Sequence, residues 1–318
     1  MERIIHMVHR TPLKQSKTLN AFTGAEISLK MENLQRTGSF KLRGAMNKVM
    51  SLKEEEAERG IIAASAGNHA QGVALAASLR NIPSKIFMPK RTPSTKVAAT
   101  RHYGAEIILE GETYQEAYLA AEEERLIAGS TYVHAFDDPK VMAGQGTVAL
   151  EMLQQCSNLE VLVVPVGGGG LLAGMALAVK SFNPHVKIIG VQALGAPATY
   201  NRFRGKASNC GDHVHSIADG ILVKEPGKLT FPIIEKYVDD MVTVTDEEIS
   251  YSIMFMLQRE KTLVEGAGAA SLAAVLCGKL KVQGKKVGCV ISGGNADPSK
   301  ISIYKDLSSM VKRLHYIG

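Results

Sequence analysis

The stretch VLVVPVGGGGLLAG, residues 161–174, decides the fold class. Its apolar, β-branched start predicts a buried strand over Val161–Val166, and its end predicts a helix over Leu171–Lys180. Four consecutive glycines between them cost conformational entropy, so the backbone there must stay free of side chains. Bare amides at the start of a helix bind anions, and the stretch is therefore predicted to hold a phosphate group.

The kind of phosphate compound follows from what surrounds the glycines. Gly168-x-Gly170-x-x-Ala173 satisfies the dinucleotide fingerprint, which also requires an acidic residue about 20 positions further on. The next predicted strand, Lys187–Gln192, ends in Gln192 with no carboxylate nearby. A single phosphate held by backbone amides is therefore favoured, and an NAD-dependent oxidoreductase stays as an alternative from another class.

The rest of the chain repeats the same strand-and-helix rhythm, which is typical of parallel sheets covered by helices. The predicted strands are Ile61–Ala64, Lys85–Met88, Glu106–Leu109, Thr131–His134, Val161–Val166, Lys187–Gln192, Met241–Val244 and Val287–Ile291. The predicted helices are Gln71–Leu79, Ser94–His102, Tyr114–Ile127, Leu171–Lys180, Asp246–Arg259 and Ala267–Leu276. With 318 residues, the chain suits two α/β domains.

Composition excludes several classes of protein. The chain is 45% hydrophobic and 21% charged, as in ordinary globular proteins, and no apolar stretch approaches the ~20 residues that span a bilayer. A net charge of +6 comes without any basic run, which argues against nucleic-acid binding. No signal peptide is visible, and four separated cysteines indicate reduced thiols, so a cytoplasmic location is expected.

One lysine has neighbours that suit covalent chemistry, in the segment SFKLRGA, residues 39–45. Ser39 is predicted to cap the helix that follows. Lys41 would then lie in the first helical turn, where the positive end of the helix dipole favours the neutral amine. A neutral amine is what a Schiff base with a carbonyl compound requires.

Two further turns follow predicted strands, Ser65–Gly72 and Ser292–Asn295. Parallel sheets collect ligands at the carboxyl ends of their strands, so these turns and the glycine stretch are expected to form one site. Taken singly, each is also compatible with a plain connecting turn, with Asn68 as a helix cap. Their occurrence together on one chain favours the functional interpretation.

These motifs resemble, in content and order, those of the serine/threonine dehydratases, which are fold-type-II (tryptophan-synthase-β-like) pyridoxal-phosphate enzymes. The matching segments are Ser39–Ala45, Ser65–Gly72, Gly167–Leu171, Ala218–Gly220, Glu265–Gly268 and Ser292–Asn295. The resemblance implies an α/β fold with two open, twisted, mainly parallel sheets flanked by helices. It also implies a large cofactor domain over residues 1–45 and 146–318, and a small domain over 46–145.

The resemblance assigns a role to each motif. Lys41 would carry pyridoxal 5′-phosphate as a Schiff base and act as the base on the substrate α-carbon. Phe40 would stack on the pyridine ring, Asn68 would bind its phenolic oxygen, and Ser292 would face its nitrogen. The phosphate would be held by Gly167, Gly168, Gly169, Gly170 and Leu171, and the substrate carboxylate would be held by Ser65, Ala66, Gly67, Asn68 and His69.

The implied reaction is β-elimination of water from L-threonine or L-serine, giving 2-oxobutanoate or pyruvate plus ammonia. A serine opposite the pyridine nitrogen makes the ring a weaker electron sink than an aspartate would, which suits an elimination. The cofactor phosphate is the expected acid toward the leaving hydroxyl, because no obvious acidic side chain lies in the motifs.

Two departures from relatives narrow the choice within the family. Ala66 replaces the serine that racemases use as a second base, and no carboxylate occurs between Gln192 and Ala198, so no metal site is expected. Serine racemase and 3-hydroxyaspartate dehydratase remain alternatives within the family. The resemblance further implies a homodimer or homotetramer that acts on a small hydroxy-amino acid, and leaves AMP open as an effector. The pairs His6/His9 and His213/His215 are interpreted as surface residues.

Overall fold

The computed structural model describes residues 1–207 and 214–311. Within them the chain forms ten strands, numbered in chain order: β1 Leu13–Gln15, β2 Glu26–Met31, β3 Ile61–Ala64, β4 Ser84–Met88, β5 Glu106–Leu109, β6 Thr131–Tyr132, β7 Val161–Pro165, β8 Lys187–Ala193, β9 Asp240–Val244 and β10 Lys286–Ile291. They build a six-stranded sheet in the order β1-β2-β10-β7-β8-β9 and a four-stranded sheet in the order β5-β4-β3-β6.

Helices alternate with these strands along the chain. They are α1 Lys17–Thr23, α2 Lys41–Val49, α3 Glu54–Glu58, α4 Asn68–Arg80, α5 Ser94–His102, α6 Tyr114–Ala128, α7 Pro139–Gln155, α8 Gly170–Phe182, α9 Ala198–Phe203, α10 Thr230–Tyr237, α11 Asp246–Phe255, α12 Gly266–Leu276 and α13 Ile301–Ser308.

All strand pairs are parallel except β1 with β2. The two mainly parallel sheets with flanking helices confirm the predicted fold class. Both sheets are covered on their faces, so the inner strands β3 and β7 are buried along their whole length. Helix α12, made of small apolar residues, is buried throughout and packs on the six-stranded sheet.

The predicted elements are present with small shifts at their ends. The strand expected over Thr131–His134 stops at Tyr132. The helix expected over Asp246–Arg259 ends as an α-helix at Phe255 and continues as one π-helical turn, Met256–Glu260. Strands β1 and β2 and the 17-residue helix α7 were not predicted from the sequence.

Helices α2 and α7 cross closely, and this contact positions the start of α2. A Cβ on Gly144 of α7 would overlap the backbone of Arg43 and lie 2.6 Å from the Cα of Gly44. Glycine is therefore required at position 144 for the helices to approach so closely. The predicted domain boundaries, 45/46 and 145/146, fall inside these two helices, and the division into domains stays a prediction.

Candidate active site

Lys41 is the first residue of α2, and it is partly buried. The Nζ atom donates to the Ala135 carbonyl at 3.0 Å and lies 5.3 Å from the centre of the Phe40 ring. Burial lowers the pKa of Lys41 to about 8, against the opposing effect of the Glu265 carboxylate. Loss of solvation thus favours the neutral amine.

The residues before Lys41 are held by the turn after β10. Ser39 and Gly293 form an isolated antiparallel bridge, and the Phe40 N–H donates to the Ser292 carbonyl at 3.1 Å. Phe40 is the N-cap of α2 and makes no side-chain capping bond. The prediction that Ser39 caps this helix is therefore wrong. Its hydroxyl is buried and has no hydrogen-bond partner among the described residues.

The turn after β3 reaches the same place. Gly67 is the N-cap of α4 and Asn68 its first residue, so Asn68 does not serve as the cap. The Asn68 Nδ2 donates to Glu265 Oε1 at 2.7 Å, and its Oδ1 accepts from Asn295 Nδ2 at 2.7 Å. The structure thus joins the turn of the four-stranded sheet to the turn after β10 of the six-stranded sheet.

Glu265, the N-cap of α12, is a site residue for which no role was predicted from the sequence. Burial raises the pKa of its carboxyl to about 7, and nearby Asp219 adds to the effect while Lys96 and Lys41 oppose it. The view that the motifs bring no acidic side chain to the site is therefore wrong. The sequence did contain a feature that points to Glu265, because it is the first residue of the motif Glu265–Gly268.

The glycine stretch connects β7 to α8 as predicted, and Gly169 adopts a left-handed φ of +99°. The Gly167 carbonyl accepts from the Thr199 hydroxyl at 2.7 Å, and the Gly168 carbonyl accepts from the Thr230 hydroxyl at 2.6 Å. The first N–H groups of a helix have no partner within it, so the amides at the start of α8 can donate to an anion.

The segment after β6 was also missed, and it links Lys41 to the glycine stretch. Ala135 accepts from Lys41, while a Cβ on Gly168 would lie only 2.5 Å from the Phe136 ring. Asp137 accepts from the backbone N–H of Lys228 at 3.0 Å, and from those of Leu229 and Thr230 at 2.8 and 3.1 Å. The position of this segment at the carboxyl end of a parallel strand was the available signal.

Two further predicted residues are deeply buried. The Ser292 hydroxyl donates to the Ala267 carbonyl at 3.2 Å. His69 hydrogen-bonds through Nε2 to the Val133 carbonyl at 2.7 Å, and burial lowers its pKa to about 3. A neutral imidazole brings no positive charge, so an anion at this turn would be bound by backbone amides. The Ser65 N–H already donates to the Phe87 carbonyl at 3.0 Å, which leaves the amides of residues 66–69 for this role.

A dinucleotide site, a metal site and a membrane-spanning helix would each need features of their own among the described residues. Gln192 stands where a dinucleotide site would need an acidic residue to bind the ribose. It is buried in β8, and its Oε1 accepts from the Tyr200 N–H at 2.8 Å. In residues 1–207 and 214–311, no three histidine, cysteine or acidic side chains are placed to hold a metal ion. No helix in these ranges is both long and apolar enough to cross a membrane. His213 lies outside the described residues.

Comparisons with known proteins agree with this geometry. The family model described as pyridoxal-phosphate dependent enzyme matches residues 4–293. L-threonine ammonia-lyase of Thermotoga maritima is 53% identical over 296 residues, 93% of this chain and 74% of that protein. Processed threonine deaminase isoform 2 of Solanum lycopersicum superimposes with a TM-score of 0.91 at 37% identity, covering 96% of this chain and 85% of the other. Maize serine racemase superimposes with a TM-score of 0.90 at 34% identity, covering 96% of both chains.

Proposed function

The chain belongs to the family of pyridoxal-phosphate-dependent enzymes, and we propose that it is an ammonia-lyase that converts L-threonine to 2-oxobutanoate and ammonia. L-serine, which lacks one methyl group, would give pyruvate and ammonia. The observation that carries the proposal is the partly buried Lys41, whose amine has a lowered pKa, beside the turns after β3, β7 and β10. The identity to a threonine ammonia-lyase over most of both chains supports the choice of reaction.

The residues present fit pyridoxal phosphate. The glycine stretch has no room for a Cβ at Gly168 and ends at a helix start, as a phosphate cradle requires. An amine with a lowered pKa lies beside an aromatic ring, Phe40, and a buried hydroxyl, Ser292, lies at the carboxyl end of β10. The glycine stretch suits the phosphate of the cofactor, the amine suits its aldehyde, and Phe40 and Ser292 suit its pyridine ring.

Each group would therefore hold one part of the cofactor. Lys41 would bind it covalently, Phe40 would cover one face of the ring, and Ser292 would face the ring nitrogen. Asn68 would donate to the phenolic oxygen. The phosphate would be held by Gly167, Gly168, Gly169, Gly170 and Leu171, and the substrate carboxylate would be bound by the Ser65 hydroxyl and by the amides of Ala66, Gly67, Asn68 and His69.

Lys41 supplies the base for the reaction. When bound, pyridoxal phosphate supplies an electron sink for negative charge at the substrate α-carbon. Lys41 Nζ takes the proton from that carbon, which its lowered pKa allows near neutral pH. Loss of the β-hydroxyl as water, and hydrolysis of the resulting enamine, give the oxo acid and ammonia.

Ala66 favours elimination over racemisation. Serine racemases are structural neighbours of this chain, so the second activity must be considered. Inversion at the α-carbon needs a second group that moves a proton on the opposite face. The methyl group of Ala66 cannot do this, so Lys41 would be the only base on that carbon.

The oligomeric state of the enzyme is proposed from family resemblance, and its location from its separated cysteines. We infer a cytoplasmic homodimer or homotetramer, with a large cofactor domain over residues 1–45 and 146–318 and a small domain over 46–145. Binding of AMP as an effector is tested by adding it to the assay. The separate four-stranded and six-stranded sheets support the division into domains.

The test is a product assay on the purified enzyme loaded with cofactor. L-threonine should give 2-oxobutanoate and ammonia in equal amounts, and L-serine should give pyruvate with little or no D-serine. The Lys41→Ala variant, checked for folding by circular dichroism, should give no oxo acid. A wild-type enzyme that forms no oxo acid from either substrate would refute the proposal, and abundant D-serine would refute the role given to Ala66.

A further inference from the structure

The side-chain amide of Asn68 lies between two partners of opposite hydrogen-bonding character. Its Nδ2 donates to Glu265 Oε1, and its Oδ1 accepts from Asn295 Nδ2, both at 2.7 Å. A carboxyl oxygen facing an amide nitrogen acts as an acceptor, and an amide NH₂ group only donates. The two neighbours therefore determine which end of the Asn68 amide carries the nitrogen.

The orientation of Asn295 is itself fixed by the backbone. The same Asn295 Nδ2 also donates to the Thr37 carbonyl at 2.8 Å, and a carbonyl has no hydrogen to give. Reversal of the Asn295 amide would place its oxygen against two acceptors, the Thr37 carbonyl and Asn68 Oδ1. The chain of bonds thus runs in one direction only, from Asn295 through Asn68 to Glu265.

Among the residues that the structure describes, this arrangement leaves one hydrogen of Asn68 Nδ2 without an acceptor. An amide nitrogen carries two hydrogens, and one of them is donated to Glu265. The nitrogen lies beside Gly293: a Cβ there would be 3.3 Å from Asn68 Nδ2 and would overlap Glu265 Oε1. Gly293 directly follows Ser292, so the second N–H is at the carboxyl end of β10.

We propose that Glu265 and Asn295 are positioning residues that hold the Asn68 amide with its second N–H directed to the phenolic oxygen of the cofactor. The inference rests on the proposed function, since it requires pyridoxal phosphate at this site. An N–H donated to an ionised oxygen stabilises the ionised form. A reversed Asn68 would instead present its own oxygen to the phenolic oxygen and destabilise that form.

Glu265 is also suited to this task by its surroundings. Desolvation raises the pKa of its carboxyl to about 7, while the Lys41 amine and the hydrogen bond from Asn68 favour the ionised form, which only accepts hydrogen bonds. It contacts Asn68 from a part of the chain 197 residues away. The contact therefore depends on the assembled site and on no local feature of α4.

The experiment reverses the polarity of the hydrogen-bond chain. Three variants are compared with the wild type: Glu265→Gln, Asn295→Asp, and the double variant that combines them. In Asn295→Asp, the Asn68 amide lies between two carboxyl groups, and one of them faces its oxygen. In the double variant, the carboxylate introduced at position 295 accepts from Asn68 Nδ2, and the amide introduced at position 265 donates to Asn68 Oδ1. Both bonds of the Asn68 amide to its neighbours are then satisfied with Asn68 reversed.

The comparison of the double variant with the single Asn295→Asp variant isolates residue 265. Both proteins lose the bond from position 295 to the Thr37 carbonyl in the same way. Any difference between them therefore comes from the change of Glu265 and from the orientation of Asn68 that this change allows.

Two readouts separate orientation from simple stability. For the apoproteins, the double variant should melt at a higher temperature than Asn295→Asp, because its bonds are restored. In a titration with pyridoxal phosphate, the double variant should nevertheless bind the cofactor roughly tenfold more weakly than the wild type does. Its visible absorbance should decrease, and its near-ultraviolet absorbance should increase. Glu265→Gln, in which Asn295 still fixes Asn68, should retain the visible band.

The outcomes distinguish this inference from the proposed function. A wild type without a visible band on titration would overturn the proposed function, and this inference with it. A wild-type band together with normal cofactor affinity and spectrum in the double variant would overturn the inference alone. Loss of the band in Glu265→Gln would also overturn it, because the charge of Glu265, and not the orientation of Asn68, would then control the cofactor.

Discussion

The surroundings of the Lys41 amine lower its pKa and so make it reactive. The side chain lies against the Phe40 ring, and the amine reaches the Ala135 carbonyl, in a segment that follows the short strand β6. Desolvation destabilises the ammonium form, while the Glu265 carboxylate stabilises it, and desolvation is the larger effect. The result is an amine that changes protonation state near physiological pH.

The protonation of Lys41 can be measured on the apoprotein. Acetylation by a small anhydride, followed by mass spectrometry across pH, should show Lys41 becoming reactive with a midpoint of about 8. Reactivity rises with pH because only the neutral amine attacks. In Glu265→Gln the midpoint should fall further, because a neighbouring negative charge is removed. A midpoint near the ordinary value of 10.5 would show that burial does not tune this amine.

Single residues differ in how far the sequence reveals them. Lys41, Asn68 and Ser292 were singled out because each lies in a motif at the end or start of a predicted element. The contact of Glu265 with Asn68 joins residues 197 positions apart, and no local pattern encodes it. The buried state of Ser39, which was expected to cap a helix, likewise depends on its bridge to Gly293.

At the scale of elements, the turn from β7 to α8 depends strongly on having glycine at position 169. Gly169 combines a left-handed backbone with a crowded environment, since a Cβ there would lie 2.7 Å from Ile234 and 2.8 Å from the Thr230 hydroxyl. That hydroxyl holds the Gly168 carbonyl. A side chain at position 169 would therefore disturb the phosphate cradle as well as strain the backbone.

Gly169→Ala tests this point, with Gly284→Ala as a matched control. Gly284 has a similar left-handed φ of +70°, but its Cβ would meet nothing within 4 Å. Both variants should lose about 1–2 kcal/mol of unfolding free energy in urea from backbone strain. Gly169→Ala should in addition lose affinity for pyridoxal phosphate, by about tenfold or more. Equal cofactor affinities in the two variants would argue against the cradle.

Strands could be predicted from the sequence where burial on both faces makes every residue of the strand apolar. Strands β3 and β7 are short apolar runs, and their predicted bounds differ from the observed ones by at most one residue. Helix α7 was missed because Gly144 and Gly146 interrupt its pattern, although Asp138 and Pro139 give the usual signals of a helix start. Gly144 is there because α2 packs against it, which is a tertiary requirement.

For the whole molecule, a buried group of four charges ties distant parts of the chain together. Arg43 of α2 binds Glu32 and Glu151, at 2.8 and 2.7 Å, and Lys30 of β2 binds Glu151 at 2.6 Å. All four side chains are nearly or fully buried. Two positive and two negative charges balance one another, and they join β2, α2 and α7 close to the start of α2. Local sequence patterns gave no sign of this group.

Removing one member of this group should be severely destabilising. We expect Glu151→Gln to lose about 3–5 kcal/mol of unfolding free energy, because Arg43 and Lys30 would remain buried with one counter-charge fewer. Glu160→Gln is the control: its ion pair with Lys285 is about half exposed, so urea unfolding should hardly change. Similar unfolding curves for the two variants would contradict the importance given to the buried group.

The central claim is that Lys41 binds the cofactor. The most direct measurement is reduction of the pyridoxal-phosphate-loaded protein with borohydride, followed by proteolysis and mass spectrometry of the peptides. The fixed pyridoxyl group should be found on Lys41, and the Lys41→Ala protein should carry none. A pyridoxyl group on another lysine of the wild-type chain, or on no lysine at all, would contradict the claim.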